Sequence, residues 1–177
     1  LADEFDALYA SLFKRPAPYI AIVTALATKK AGMTRKALLE NTGLDDNKVF
    51  TQATEELEKC NFIRKYQVIG KKKREAIYQL MDHFTLFYFR YIENNHHHDN
   101  HFWTNNLSTP IHTAWAGLAF ERVCLWHLPQ IKSALGIAGV ISNAQPWHVE
   151  ATKEHEGVHL DLLFDRNDGI INLCEMK

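Results

Sequence analysis

The first sixty residues repeat apolar side chains every three or four positions, which is the period of an amphipathic helix. Thr34 is the predicted N-cap of one helix and Gly43 its stop, because a hydroxyl accepts from the free amides of a first turn and glycine tolerates the left-handed conformation. Asp45 or Asp46 is the predicted cap of the next helix. The spacing predicts four helices, over residues 3–13, 19–30, 35–41 and 46–60.

The pattern changes from helical to alternating after Asn61. The segments "FIRKYQVI" and "EAIYQL" flank "GKKKR", which predicts a hairpin with a basic tip. The order of helices followed by a basic hairpin is that of a winged helix-turn-helix, in which residues 46–60 are the recognition helix. A helix pair with a hairpin is also typical of protein-interaction modules, so both alternatives stay open.

The second half begins with an aromatic helix and ends in strands. "MDHFTLFYFRYIENN" predicts a joining helix whose aromatic side chains serve packing, and a polar loop follows it. A long apolar helix from about Thr109 to Leu128 and a short one in "QIKSALGI" precede four alternating segments, "GVISNAQPW", "HVEATKE", "VHLDLLFD" and "GIINLCEMK". The predicted division is a winged-helix domain over residues 1–82, a connecting helix and loop over 83–107, and an α+β or α/β domain over 108–177.

Composition adds an asymmetry of charge to this division. The chain has 177 residues, 46% hydrophobic and 23% charged, and a formal net charge of -1, which are ordinary globular values. Residues 1–82 carry a net charge of +3 and residues 83–177 a net charge of -4, so only the first half has the sign that phosphate prefers. No apolar run approaches the roughly 18 residues of a membrane span. Three widely spaced cysteines predict buried free thiols and a cytoplasmic protein.

The basic hairpin tip and the fourth helix hold the candidate DNA contacts. A basic tip grips the phosphate backbone through counterion release, or it is simply a solvated turn. Lys48 and Gln52 are the candidates for base edges on the recognition helix, although three glutamates near its end disfavour tight sequence-specific binding. The candidate tip residues are Lys71, Lys72, Lys73 and Arg74.

A cluster of histidines in the polar loop is a weaker candidate for chemistry. Metal binding requires fixed ligand geometry and neighbours that orient each ring, and a polar loop supplies neither. We therefore interpret the cluster as solvated loop. Its members are His96, His97, His98 and His101.

Three carboxylates and a lysine form the strongest candidate site. Asp161 lies in one predicted strand, and Glu175 and Lys177 lie two positions apart in the next, so they project from the same face. Glu121 lies on the long apolar helix, where an unpartnered carboxylate is costly. Two or three such oxygen ligands hold Mg²⁺ beside a phosphate, and the lysine offsets charge that develops during displacement.

A structural alternative exists for Glu121. At the edge of its helix it can pair with a nearby base, for which Arg122, His127 and Arg166 are the candidates. In that case the carboxylates make ion pairs and no cation site exists. Convergence of the carboxylates of Glu121, Asp161 and Glu175 distinguishes the two interpretations.

The ordered set Glu121, Asp161 and Glu175-x-Lys177 resembles the PD-(D/E)xK superfamily of restriction-endonuclease-like folds. Leu160 stands where the superfamily pattern has proline, and the later part of that core does not follow within the sequence. The resemblance implies an incomplete restriction-endonuclease-like domain, with Glu121, Asp161 and Glu175 holding Mg²⁺ and Lys177 assisting catalysis.

Nearly the whole chain, including "GMTRKALL", "TEELEKCNFIRKY", "WAGLAFERVC" and "HLDLLFDRNDGIINLCEMK", is similar to the region after the ATPase domain of archaeal-type AAA ATPases. That resemblance implies a fragment of a longer protein, with ATP bound in a missing amino-terminal domain; no GxxxxGK[ST] pattern occurs here. The implied function is DNA binding by the winged helix together with a Mg²⁺-dependent nuclease-like site. The alternative is a non-catalytic module that binds nucleic acid or docks a protein. The sequence predicts no oligomeric state.

Overall fold

The computed structural model describes residues 2–70, 75–93, 101–149, 151–152 and 155–176. The fold is mixed: within these ranges, eight α-helices and a π-helical segment accompany two three-stranded antiparallel sheets. The first sheet belongs to the amino-terminal half and the second to the carboxy-terminal half. The predicted mixture of helix and strand is therefore confirmed.

Four helices form the amino-terminal half: α1 (Ala2–Leu12), α2 (Ala17–Ala27), α3 (Arg35–Thr42) and α4 (Lys48–Lys59). The predicted ends of α3 are confirmed, since the Thr34 hydroxyl accepts from the amide of its first turn and Gly43 adopts a φ of 68°. The predicted cap of α4 is wrong. Asn47 caps it, because its side-chain oxygen accepts from the amides of the two residues that follow Lys48, while Asp46 is held at 2.5 Å by Arg35.

Three short strands complete this half: β1 (Met33–Thr34), β2 (Ile63–Tyr66) and β3 (Ile77–Leu80), in the order β1-β3-β2. β2 and β3 pair antiparallel, with Arg64 opposite Gln79, which confirms the predicted strand pair. The basic residues 71–74 lie outside the described residues. Gly32 precedes β1 with a φ of +85°, and its Cα passes so close to β3 that an added Cβ would meet the carbonyl oxygen of Tyr78 at 2.2 Å.

A buried cluster joins these elements. Side chains from α1, α2, α3, α4 and the first sheet pack together, and the fully buried members include Tyr9, Ile22, Leu38, Phe50 and Leu57. Burial of this apolar surface is the main stabilising contribution in the amino-terminal half.

An aromatic segment links the halves. It comprises α5 (His83–Phe87), the π-helical turn Tyr88–Ile92 and, beyond residues 94–100, which lie outside the described ranges, α6 (Phe102–Asn106). Tyr88 stacks on Phe5 of α1 with ring centroids 4.1 Å apart. Phe87 lies 5.5 Å from the Trp115 ring, so the aromatic side chains pack between elements as predicted.

The carboxy-terminal half contains α7 (Pro110–Trp126), α8 (Leu128–Ala134), β4 (Ser142–Val149), β5 (Val158–Arg166) and β6 (Ile171–Cys174), with strand order β4-β5-β6. Where the sequence pattern predicts four strands, the described residues form three, because β4 includes the end of the first predicted segment and the first two residues of the second. Pro146, which lacks an amide hydrogen, interrupts the apolar pattern but is tolerated in this edge strand. The buried cluster here consists of Met81, Leu125, Ile137, Leu162 and Phe164.

The two halves touch through polar side chains as well. The Gln145 side-chain oxygen, fully buried on β4, accepts from the amide of Ile69 at 3.0 Å. The Asn143 amide donates to the carbonyl of Gln67 at 2.5 Å. The end of β2 is thereby held against β4.

All three cysteines are free thiols, as predicted, but Cys60 is exposed and the other two are only half-buried. The prediction that they are buried is wrong for Cys60, because it follows the last turn of α4 on the solvent side. None of the described helices is long and apolar enough to cross a membrane.

Candidate functional site

Helix α7 brings Glu121 to the seam between the two halves. The helix starts at Pro110, whose missing amide hydrogen suits a first position, and the Thr109 side chain caps it. Arg122 is almost fully buried and donates to the carbonyl oxygens of Leu80 at 2.9 Å and Lys30 at 2.8 Å. These two bonds fix α7 against the first sheet and place Glu121 beside Lys30.

A β-bulge places Asp161 near the same seam. Trp147 pairs with Leu160 and Gln145 with Leu163, so β5 advances three residues where β4 advances two. The extra residue lies opposite Pro146, which cannot donate to the ladder. Bulges redirect side chains, and Asp161 stands at this one.

Glu121 and Asp161 line one cavity of about 360 Å³ between the two halves. This size is within the range of small-ligand sites. Its lining residues are Lys30, Ala31, Arg64, Tyr66, Val68, Gln79, Glu121, Arg122, Leu125, Pro146, His148, His159 and Asp161.

Both carboxylates already have partners. Glu121, whose side chain is 18% exposed, pairs with Lys30 at 2.6 Å, and none of the three predicted partners holds it. Asp161 accepts from the amide of Met176 at 2.9 Å and faces the His159 ring nitrogen at 3.6 Å. Burial raises the pKa of the nearby Cys124 thiol, and the charges of Glu121 and Asp161 contribute to the rise.

The third carboxylate of the predicted cation site, Glu175, lies elsewhere. Glu175 follows β6, is exposed and does not line the cavity. Lys177 lies outside the described residues. Within the described ranges, no group of three His, Cys, Asp or Glu side chains is arranged to hold a metal ion. Two of the three predicted carboxylates therefore line one cavity, while the Glu121 carboxylate forms an ion pair, as the structural alternative expects, although with Lys30.

Two guanidinium groups are the main feature that the sequence analysis missed. Burial lowers the pKa of Arg122 to about 10, although the nearby Glu121 and Tyr66 oppose the change. Burial also lowers the pKa of Arg64 to about 10; Tyr66 opposes this and the positive charge of Arg122 adds to it. Arg122 lies within the apolar stretch "GLAFERVCLW". A charged residue in such a stretch indicates a buried polar partner, because an unpartnered buried charge is costly. Arg64 gave no comparable signal.

Two of the six predicted DNA-contact residues lie within the described ranges. Lys48 is exposed at the start of α4, and Gln52 is exposed but donates to Glu56 at 2.8 Å. The same side of α4 exposes Glu55 and half of Val49. Lys71, Lys72, Lys73 and Arg74 lie outside the described residues, as do His96, His97 and His98.

Comparison of the chain with protein-family models, with curated proteins and with solved structures finds no match. The assignment of a function therefore rests on this chain's own residues.

Proposed function

We propose that the chain belongs to an ATPase whose nucleotide site lies in another domain, that its amino-terminal half is a winged helix that binds DNA, and that its carboxy-terminal half carries a Mg²⁺-dependent nuclease-like site. The observation that carries the proposal is the convergence of Glu121, from α7, and Asp161, from β5, on one cavity. The winged-helix part is supported by the order α2, β1, α3, α4, β2, β3 and by the sheet order β1-β3-β2.

The two carboxylates fit a magnesium site of a particular kind. Mg²⁺ is commonly held by one or two carboxylates, with water and substrate phosphate as its other ligands. Glu121 and Asp161 would hold it here, and Lys30 would have to leave Glu121, because both positive charges compete for the same carboxylate. Bound there, the ion would supply charge stabilisation for a phosphodiester under attack.

Metal binding tests the site without requiring catalysis. In the intact protein we expect Mn²⁺, followed by electron paramagnetic resonance, to bind at least tenfold more weakly to Asp161→Asn and Glu121→Gln. Lys30→Met should strengthen binding, because it removes the competing ammonium. Asp45→Asn, an exposed carboxylate in the turn before α4, is the matched control.

Glu175→Gln decides whether the third carboxylate takes part. Weakened Mn²⁺ binding in this variant would mean that Glu175 moves to the cavity when metal binds. If Mn²⁺ binding is the same in Asp161→Asn, Glu121→Gln and Asp45→Asn, the site is not a metal site. DNA cleavage in Mg²⁺ that Asp161→Asn does not reduce would also contradict the proposal.

DNA contact by the winged helix is tested separately through its salt dependence. Replacing Lys71, Lys72, Lys73 and Arg74 together by alanine should lower affinity for duplex DNA and reduce the slope of log K against log salt by up to roughly 0.9 per lost phosphate contact. Lys48→Ala should produce a smaller loss. Binding that none of these changes affects would refute DNA contact through this surface.

A non-catalytic docking or binding module is the second candidate. It is favoured by the exposed side of α4, where Val49 is 51% exposed and Glu55 and Glu58 repel phosphate. The Lys30–Glu121 ion pair also suits a structural seam. Under this alternative, Lys30→Met should destabilise the protein slightly without creating tighter metal binding.

A further inference from the structure

A half-buried positive charge, for which the described residues supply no anionic partner, lines the seam cavity. Arg64 donates through Nε to the side-chain oxygen of Gln79 at 2.7 Å, while its Nη2 is buried and has no hydrogen-bond partner among the described residues. The guanidinium carbon lies 4.6 Å from the centre of the Tyr66 ring. One donor of the fork is thus oriented by Gln79 and another remains unsatisfied.

The other charges of the cavity do not neutralise Arg64. Glu121 is paired with Lys30, and Asp161 accepts from the backbone amide of Met176 and lies 3.6 Å from a His159 ring nitrogen. Arg122 donates its hydrogen bonds within the described residues to backbone carbonyls. In the part of the chain that the structure describes, neither Arg64 nor Arg122 forms an ion pair, and the lining holds three permanent cations against two carboxylates.

A buried, unsatisfied charged donor is costly for a fold. If Arg64 had only a structural role, a carboxylate on β3 would be the expected partner for its charge. The residue opposite Arg64 is instead the neutral Gln79. Gln79 is itself fixed, because its amide donates to the carbonyl of Lys30 at 2.8 Å. The seam therefore holds the guanidinium in place, and no residue in the described ranges supplies the complementary anion.

We propose that this cavity binds a phosphoryl oxyanion, with Arg64 as its principal donor. Guanidinium groups match phosphate oxygens in geometry, and such charge-assisted hydrogen bonds are stronger than neutral ones. The hairpin that begins with β2 continues in sequence into "KKKR", so the same segment attracts polyanions. The inference deepens the proposed function and rests on it only for the source of the phosphate, which is either a nucleic-acid backbone or free phosphate.

Binding in EDTA separates this inference from the metal site. Isothermal titration of the intact protein with inorganic phosphate is one arm, and fluorescence anisotropy with a short labelled oligonucleotide, with and without a 5′-phosphate, is the other. We expect Arg64→Gln to bind at least one of these ligands about tenfold more weakly than wild type does. Arg15→Gln, the same change at an exposed arginine, should leave both affinities unchanged.

The pattern of loss identifies the source. If Arg64→Gln binds inorganic phosphate and the 5′-phosphorylated oligonucleotide more weakly, the ligand is a terminal or free phosphate. If it binds both oligonucleotides more weakly but inorganic phosphate as well as wild type does, the ligand is an internal phosphodiester. Arg64→Lys keeps the charge but not the fork, so it should bind with intermediate affinity; it also serves if Arg64→Gln does not fold. Equal affinities of wild type, Arg64→Lys and Arg15→Gln for every ligand overturn the inference, whatever the metal experiments show.

Discussion

Replacement of Arg122 by methionine tests the bond between the two halves of the molecule. Arg122 is 1% exposed and reaches from α7 to two backbone carbonyls of the amino-terminal half. Methionine retains the apolar stem of the side chain, so packing against its neighbours is largely preserved. The variant therefore removes the guanidinium and its hydrogen bonds with little change of volume.

Two opposing contributions set the magnitude. Each hydrogen bond from a charged donor stabilises by about 1.5–3 kcal/mol, so the two bonds together contribute about 3–6 kcal/mol. Burial that lowers the pKa of Arg122 from its ordinary value to about 10 costs about 3 kcal/mol. The difference is about 0–3 kcal/mol, so we expect Arg122→Met to lose about 1.5 kcal/mol of unfolding free energy, the middle of that range.

Urea unfolding followed by far-UV circular dichroism measures the change. Arg90→Met, the same substitution at an exposed arginine, should change stability by no more than about 0.5 kcal/mol. An Arg122→Met protein as stable as wild type, or more stable, would show that charge burial cancels the two hydrogen bonds. The seam would then tolerate Arg122 for a reason other than stability.

Four further substitutions probe the amino-terminal half. Gly32→Ala should cost more than about 2 kcal/mol in urea unfolding, because its Cβ would meet the carbonyl of β3, whereas Gly43→Ala, with a φ of 68° and open space, should cost about 1–2 kcal/mol. Tyr9→Phe should cost about 1–3 kcal/mol, because the buried Thr85 hydroxyl 2.9 Å from the Tyr9 oxygen loses its partner; unchanged thermal stability would contradict this. Burial and the hydrogen bond donated to a glutamate raise the pKa of Tyr19 to about 12, so its contribution is complete below pH 10 and lost as the pH rises towards 12. Tyr19→Phe should therefore have a shallower loss of stability over that interval than wild type.

Local signals explain which elements were predictable. Helix α3 is bounded by Thr34 and Gly43, and both signals act within one turn of the chain, so the sequence was sufficient. The cap of α4 was not predictable in the same way, because three polar residues in succession could accept from its first turn. Arg35, eleven residues earlier, holds Asp46, and Asn47 is left to cap the helix.

Longer-range effects account for the other differences. The boundary predicted between "GVISNAQPW" and "HVEATKE" is wrong, because β4 continues through it to Val149. The bulge opposite Pro146 is determined only by pairing with β5. The sequence indicated correctly that Glu121 needs a polar partner. That partner is Lys30, ninety-one positions away, and no local pattern relates them.

The cation site and the oxyanion site are expected to be coupled if both proposals hold. Two carboxylates are few ligands for Mg²⁺, and a bound phosphate supplies the others. Phosphate on Arg64 should then strengthen Mn²⁺ binding, and Mn²⁺ should strengthen phosphate binding by the same factor, because coupling between two equilibria is reciprocal. This coupling factor should fall to one in Arg64→Gln and in Asp161→Asn but keep its wild-type value in Arg15→Gln. A phosphate affinity that Mn²⁺ leaves unchanged would mean that the two ligands do not meet, in which case the nuclease-like site loses its support and the Arg64 site is a binding site alone.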